Sequence, residues 1–225
     1  LSRLTVHHLN NSRSQRVLWL LEELGVDYQV QHYARDAKTM LAPPELLKVH
    51  PLGKSPVITD GDITVAESGA IIEYLVERYG QGRLQPAVAS KERLQYRYWL
   101  HYAEGSAMLP LLLKLIFSFM PRQPMPFFVR PLVRGIANNV CKVFVDPMLK
   151  LHLDFMESEL AKSTWFAGPE FSAADIQMSF PVEIAATRGG LDARWPLLSS
   201  FLQRIQARQA YQKALTVGGP YQLMS

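Results

Sequence analysis

Apolar positions in the first third of the chain change period several times. Leu4 to His8 reads as a short strand. Val17, Leu18, Leu20, Leu21 and Leu24 then recur at helical spacing, which predicts a helix over Ser14 to Leu24 closed by Gly25. Asp27 to Tyr33 alternates as a half-buried strand does, and Pro43 to Val49 opens on a proline pair and predicts a short helix. Val57 to Thr59 and Ile63 to Val65 read as two short strands turned at Asp60-Gly61-Asp62. Ile71, Ile72, Leu75 and Val76 place a helix over Ser68 to Tyr79. The predicted order is βαβ, a helix, then ββα.

Gly80 to Pro86 breaks this pattern and reads as a linker, and beyond it strand signals almost vanish. Ser90 to about Phe119 predicts a long helix carrying Leu94, Tyr98, Tyr102 and Leu109. Prolines from Pro121 to Pro131 interrupt it. Phe127 to about Lys162 predicts one more helix, bent near Pro131 or Pro147. Ser172-Ala-Ala-Asp175 has the form of a capping box, and Trp195-Pro196 to Arg208 supplies another helix. The tail from Gly218 to Ser225 shows no periodicity. The reading is two units: an α/β unit over residues 1–80, a linker over 81–89, and an all-α unit over 90–225.

Composition narrows the partners. The net charge of +4 is small and no dense Lys/Arg block is present, so nucleic acid is not expected; small anionic molecules suit the charge equally well. The lone Cys141 excludes an intrachain disulfide and a CxxC redox or zinc site, and no metal is expected. It sits among Val140, Val143 and Phe144, as a small hydrophobe does. The chain suits a reducing, cytoplasmic compartment, and no cleavable signal sequence is expected. Ala107 to Met120 is too short and too interrupted by Pro110 and Lys114 to be expected to span a bilayer. With Met125 to Pro131 it is suited to touching a membrane surface, although core and dimer packing explain it more simply.

The chemistry concentrates in Pro51-Leu-Gly-Lys-Ser-Pro-Val-Ile58 and in Glu67-Ser68. A strand led in through proline can leave a backbone edge open. A helix start offers unpaired N–H groups and a positive dipole end. Together they suit a peptide-like ligand with both a carboxylate and an amine, which points to glutathione.

In Ser55-Pro56, Glu67-Ser68 and Ser172-Ala-Ala-Asp175 after Phe166-Ala-Gly-Pro169, the chain resembles the cytosolic-type glutathione S-transferases from Leu4 to about Leu215. Its Ser12-Arg-Ser-Gln-Arg16 start resembles that of microbial theta-like, serine-type members. The resemblance implies a thioredoxin-like first unit and an all-helical second unit. It implies glutathione as co-substrate, a homodimer, a detoxifying transferase activity toward small hydrophobic electrophiles, and a cis peptide before Pro56.

Residue by residue, the resemblance places Ser12 at the thiol-activating position, with Asn11 one step away as the alternative. Val57 would offer its main chain to the cysteinyl part of the ligand as in strand addition, beside Ser55 and Pro56. Glu67 would pair with the α-amine and Ser68 with the α-carboxylate. Lys54 would meet the glycyl carboxylate, with Arg13, Arg35, Lys38 or His50 as substitutes, since Leu41 stands where some relatives carry a polar ligand. Glu104 would reach across a dimer interface toward the amine. The acceptor pocket would be walled by Leu9, Asn10, His101, Tyr102, Gly105, Ser106 and Met108. Two other outcomes fit the same residues: a glutathione-dependent peroxidase or thiol transferase, and a non-catalytic glutathione-binding regulatory module.

Overall fold

The computed structural model describes residues 4–36, 39, 41–219 and 221–223. Strands β1 (Leu4–Leu9), β2 (Gln29–Tyr33), β3 (Val57–Asp60) and β4 (Ile63–Ala66) form one sheet in the order β2-β1-β3-β4. β1 pairs parallel with β2, across helix α1 (Ser14–Leu24), and antiparallel with β3. The parallel pair needs a crossover, which α1 supplies, and Gly25 ends α1 in the left-handed region at φ 64°, where a side chain would be strained. β3 and β4 are joined through Gly61 and Asp62, since Asp60 pairs with Ile63. Helix α2 (Ser68–Tyr79) follows directly and buries Ile71, Ile72, Leu75 and Val76, the stripe that its spacing predicts. The predicted helix after Pro43 is a short 3₁₀ segment, Pro44–Lys48.

Residues 80–90 contain no helix or strand, and the rest of the chain is helical. The long helix divides into α3 (Lys91–Tyr102) and α4 (Met108–Phe119), joined by a π-helical segment at Ala103–Ala107. Pro110 does not end the run, because the π segment before it has already shifted the hydrogen-bond ladder that a proline would break. The helical run Lys91–Arg122 meets the length and composition of a membrane-crossing helix, with 28% of its most apolar window buried.

The helix expected from Phe127 to Lys162 is two: α5 (Arg130–Val140) and α6 (Asp146–Leu160), again separated by a π segment at Cys141–Val145. Pro131 lies in the first turn of α5, where no N–H partner is lost, so it does not bend the helix. α7 (Ala173–Ile184) is the central helix, with every one of its residues buried. α8 spans Pro196–Gln206 and α9 spans Gln209–Gly218. α9 extends past the point where helical patterning is readable in the sequence.

One apolar core runs from β1, α1 and α2 into α3, α6, α7 and α8. α9 lies against α1, and a Cβ placed at Gly218 would come within 2.4 Å of Gln15 Oε1 and 3.0 Å of Leu18 Cδ1. A side chain at this position would force Gln15, Leu18 or His8 to shift. The tail also departs from expectation. Tyr221 donates its hydroxyl to Glu183 at 2.8 Å, and the Gln222 N–H donates to Asn11 Oδ1 at 2.7 Å. These bonds join segments far apart in sequence, so no local pattern announces them.

The start of α7 depends on Asp175. One carboxylate oxygen accepts the Ser172 N–H at 2.9 Å and the other accepts the Phe166 N–H at 2.9 Å. Burial pushes this carboxyl up to about 6, against the pull of the donors that surround it. Replacing it removes the cap and orphans a buried N–H, so Asp175→Ala is expected to cost about 2–4 kcal/mol. Equilibrium urea unfolding at neutral pH measures this; a loss within the error of wild type contradicts the capping role.

Candidate functional site

The site is built on three local features: the β1–α1 loop, the chain leading into β3, and the start of α2. They surround a groove of about 200 Å³ lined by Arg13, Lys54, Ser55, Pro56, Glu67, Ser68 and Glu104, with His50, Leu52 and Ala66 at its rim. The Ser55-Pro56 peptide is cis. Ser55 fixes the approach by donating its hydroxyl to the His7 carbonyl at 3.0 Å.

β3 lies between β1 and β4, so it has no open lateral edge. Val57 pairs with His7 on one side and Ala66 on the other. The expected strand addition at Val57 is therefore corrected, because the main chain there belongs to the sheet. The open backbone is one step before the strand. Among the described residues, neither the N–H nor the C=O of Ser55 enters a main-chain hydrogen bond.

At the α2 end, Glu67 adopts φ 71° and ψ 125°, a conformation outside the wells that non-glycine residues favour, costing on the order of 1–3 kcal/mol. α2 begins at two groove-lining residues, Glu67 and Ser68, without a side-chain cap on its first N–H groups. An uncapped helix N-terminus favours an anion. Glu67 is exposed and, like Lys54, enters no ion pair among the described residues.

Ser68 is held from below by Arg16, whose Nη2 donates to its hydroxyl oxygen at 3.0 Å. The same guanidinium, 2% exposed, donates to Glu104 at 2.5 Å and to the Gln177 carbonyl at 2.6 Å, and lies over the Phe180 ring. Arg13 donates to both Glu104 oxygens at 3.0–3.1 Å. The Glu104 carboxylate is thus engaged by two arginines of its own chain, on the wall of the same groove. Burial alone raises the carboxyl of Glu104, but Arg16 and Arg13 outweigh it and hold it below the ordinary value.

The loop candidates occupy different settings. Ser12 is buried; its hydroxyl lies 2.8 Å from the Ser14 hydroxyl, which lies 2.9 Å from His8 Nδ1. Burial first, and then the nearby His32, push His8 down to about 4, so it is neutral at pH 7. The Ser14 N–H donates to Ser12 Oγ at 3.2 Å, so this hydroxyl also serves the first turn of α1. Asn11 stands in the left-handed region at φ 50° with its carbonyl oxygen held by the tail. Asn10 accepts the Arg35 N–H at 2.9 Å, so Arg35 is turned to the loop. Lys38 lies outside the described residues.

Of the expected acceptor walls, Leu9 and Met108 are closed into the core. Tyr102 also departs from expectation: it stacks on Tyr98 and bonds His152 Nδ1 at 2.5 Å, inside the helical layer. Met108 and Tyr102 are buried because neighbours on adjacent helices complete an apolar or aromatic cluster, which single-chain spacing does not reveal. His101 and Gly105 are exposed one turn apart, while Asn10 and Ser106 are half-buried. Ser14 is among the sequence candidates with Asn10, Asn11 and Ser12; sequence reasoning missed the roles of Arg16 and His8, because each acts through partners distant in sequence or hidden in a strand.

Residues 3–77 match the glutathione S-transferase N-terminal domain and residues 125–209 the glutathione S-transferase C-terminal domain. The chain is 38% identical over 192 residues to Glutathione S-transferase 3 of Schizosaccharomyces pombe, covering 85% of this chain and 77% of that one. It is 33% identical to Glutathione S-transferase 1 of Saccharomyces cerevisiae, covering 96% and 97%. A crystal structure of a glutathione S-transferase from Actinobacillus pleuropneumoniae superposes with a TM-score of 0.79 at 31% identity, covering 96% and 92%.

The Glu104 carboxylate has a folded value below its unfolded one. Its stabilisation is therefore fully present above about pH 4.3 and is lost as pH falls through the lower folded value. Glu104→Gln leaves Arg16 buried with a weaker partner. Allowing for the partial exposure of Glu104, the expected cost is about 2–4 kcal/mol at pH 7. Urea unfolding at pH 7 and at acid pH should show this gap narrowing as pH falls; a gap constant with pH contradicts the ion-pair account.

Proposed function

The chain belongs to the glutathione S-transferase family, and from that membership we propose that it adds the glutathione thiolate to small hydrophobic electrophiles, with Ser12 as the thiol's hydrogen-bond donor. The observation that carries the reading is the convergence of an open Ser55 backbone, an uncapped α2 start and an unpaired Glu67 on one groove. A γ-glutamyl group carries an amine and a carboxylate. Glu67 would take the amine. Ser68, whose oxygen already accepts from Arg16, would donate its proton to the carboxylate beside the helix N–H groups. The Ser55 main chain would hold the cysteinyl part. Lys54 would meet the glycyl carboxylate, with His50 and Arg13 on the same groove.

A free thiol near pKa 8.5 is only slightly ionised at pH 7. One hydrogen bond to a charged acceptor contributes about 1.5–3 kcal/mol, enough to lower that value by one to two units. Ser12 sits at the N-terminal end of α1, whose dipole favours the same anion. Asn11, with its oxygen held by Gln222, remains the alternative donor through its amide nitrogen.

The division of labour would follow the chain: residues 1–80 hold glutathione, residues 81–89 connect, and residues 90–225 shape the acceptor side with His101, Gly105 and Ser106. We place the enzyme in the reducing cytoplasm on its lone cysteine and its thiol co-substrate. We also propose a homodimer formed through the exposed Leu94 and Tyr98 of α3 and Leu151 of α6.

In the glutathione complex of Ser12→Ala, ultraviolet thiolate absorbance should titrate one to two units higher than in wild type. Turnover on an aromatic halide should fall about 10- to 150-fold. Wild-type titration in that variant, with the shift lost in Asn11→Ala, transfers the role to Asn11. A wild-type enzyme that is inert toward aromatic halides but turns over a peroxide would replace conjugation with reduction as its reaction.

A further inference from the structure

Between Glu104 and Asp146 the chain contains no acid, yet it carries Lys114, Arg122, Arg130, Arg134 and Lys142. The whole chain has a net charge of +4, so this stretch holds more than the entire positive excess. It is also the hairpin of α4 and α5, and the charges are interleaved with uncovered apolar side chains. Leu112 and Ile116 stand exposed on α4 and Leu132 and Ile136 on α5. At the connecting tip, Phe127 is 84% and Phe128 71% exposed. Of the residues of α5, only Ala137 is buried. The most apolar window of the Lys91–Arg122 run has a mean hydropathy of 1.4 and is only 28% buried.

An uncovered apolar surface of this kind marks an interaction site rather than ordinary solvent exposure. Charge decides what covers it. Arg122, Arg130, Arg134 and Lys142 enter no ion pair among the described residues; Lys114 alone is paired, with Asp146 at the edge. A second copy docking through the same patch would set these cations against their own images with no acid between them, which is unfavourable. Beyond the hairpin, Lys142 joins Lys114, Lys150, Arg188 and Arg194 around a cavity of about 540 Å³ whose one acid is Asp146. Lys114, Lys150 and Arg194 at this cavity are paired with Asp146, Asp154 and Asp192, so the uncompensated cations are those of the hairpin itself.

We propose that the α4–α5 hairpin docks on an anionic lipid bilayer, with Phe127 and Phe128 entering the headgroup boundary and the arginines meeting lipid phosphates. Paired apolar insertion and cationic attraction is the physical basis of reversible interfacial binding. The aromatic rings supply burial without the cost of a charged group in hydrocarbon, and the arginine stems reach back to the headgroups. The groove that holds Ser55 and Glu67 lies on other elements, so docking leaves it open. A membrane-bound transferase would then meet apolar electrophiles where they partition.

Flotation of the full chain with vesicles tests the proposal. Wild type should float with phosphatidylcholine vesicles containing one-third phosphatidylserine, stay behind with pure phosphatidylcholine, and be released as salt is raised. The double variants Phe127→Ala/Phe128→Ala and Arg130→Glu/Arg134→Glu should each lower the bound fraction on the order of tenfold or more, with conjugating activity unchanged. These positions are exposed, so folding is not at risk. Wild type that stays behind with both vesicle types overturns the proposal. So does a higher oligomer in light scattering that the same substitutions dissolve, which would make the patch a contact between copies. Capture by an acidic protein with no vesicle binding would equally replace lipid as the occupant.

Discussion

The Arg16 guanidinium is the constraint on which the rest of the site depends. It is a full charge buried at the meeting point of α1, α2, the π segment after α3, and α7. Such a charge is tolerated only when a counter-charge is close. Glu104 supplies it, and Ser68 and the Gln177 carbonyl accept from the same terminal nitrogens, while Nε has no hydrogen-bond partner among the described residues. The consequence is geometric: the helix start that faces the groove is fixed relative to the helical unit by one side chain. The two units are not merely packed together; the groove-lining Ser68 of one is held, through Arg16, by an acid from the other.

Around that centre, the structure uses backbone where a side chain would be expected. The approach to β3 and the turn at Glu67 present main-chain groups, and their side chains serve mainly to hold those groups in place. Ser55 spends its hydroxyl on the His7 carbonyl, which leaves its peptide groups outward. In the proposed complex, affinity for a peptide-like ligand would rest largely on main-chain groups, with Glu67, Ser68 and Lys54 reading its two ends.

Much of the fold was legible because its signals are local. The α1 and α2 boundaries follow from apolar spacing, and Gly25 and the Ser172–Asp175 box mark their own positions chemically. The glutathione-type groove was legible for the same reason, since Ser55-Pro56 and Glu67-Ser68 are adjacent pairs. What escaped is what depends on distance. Tyr102 reads as a groove wall until His152 and Tyr98 enclose it. Val57 reads as an open edge until β1 and β4 flank it. The tail reads as featureless until Glu183 and Asn11 claim Tyr221 and Gln222. The π segments escape because apolar spacing across them still averages to a helix.

The contacts from Ser12 through Ser14 to His8 leave one proton with more than one destination. The Ser14 hydroxyl lies 2.9 Å from His8 Nδ1 and 3.3 Å from the Leu9 carbonyl, both able to accept it, and 2.8 Å from the Ser12 hydroxyl. A Ser14 proton directed at either acceptor leaves the Ser14 oxygen to accept from Ser12, whereas one directed at Ser12 frees the Ser12 proton. The polarity of the Ser12 hydroxyl is therefore set two residues further along the chain, by the bond that Ser14 makes.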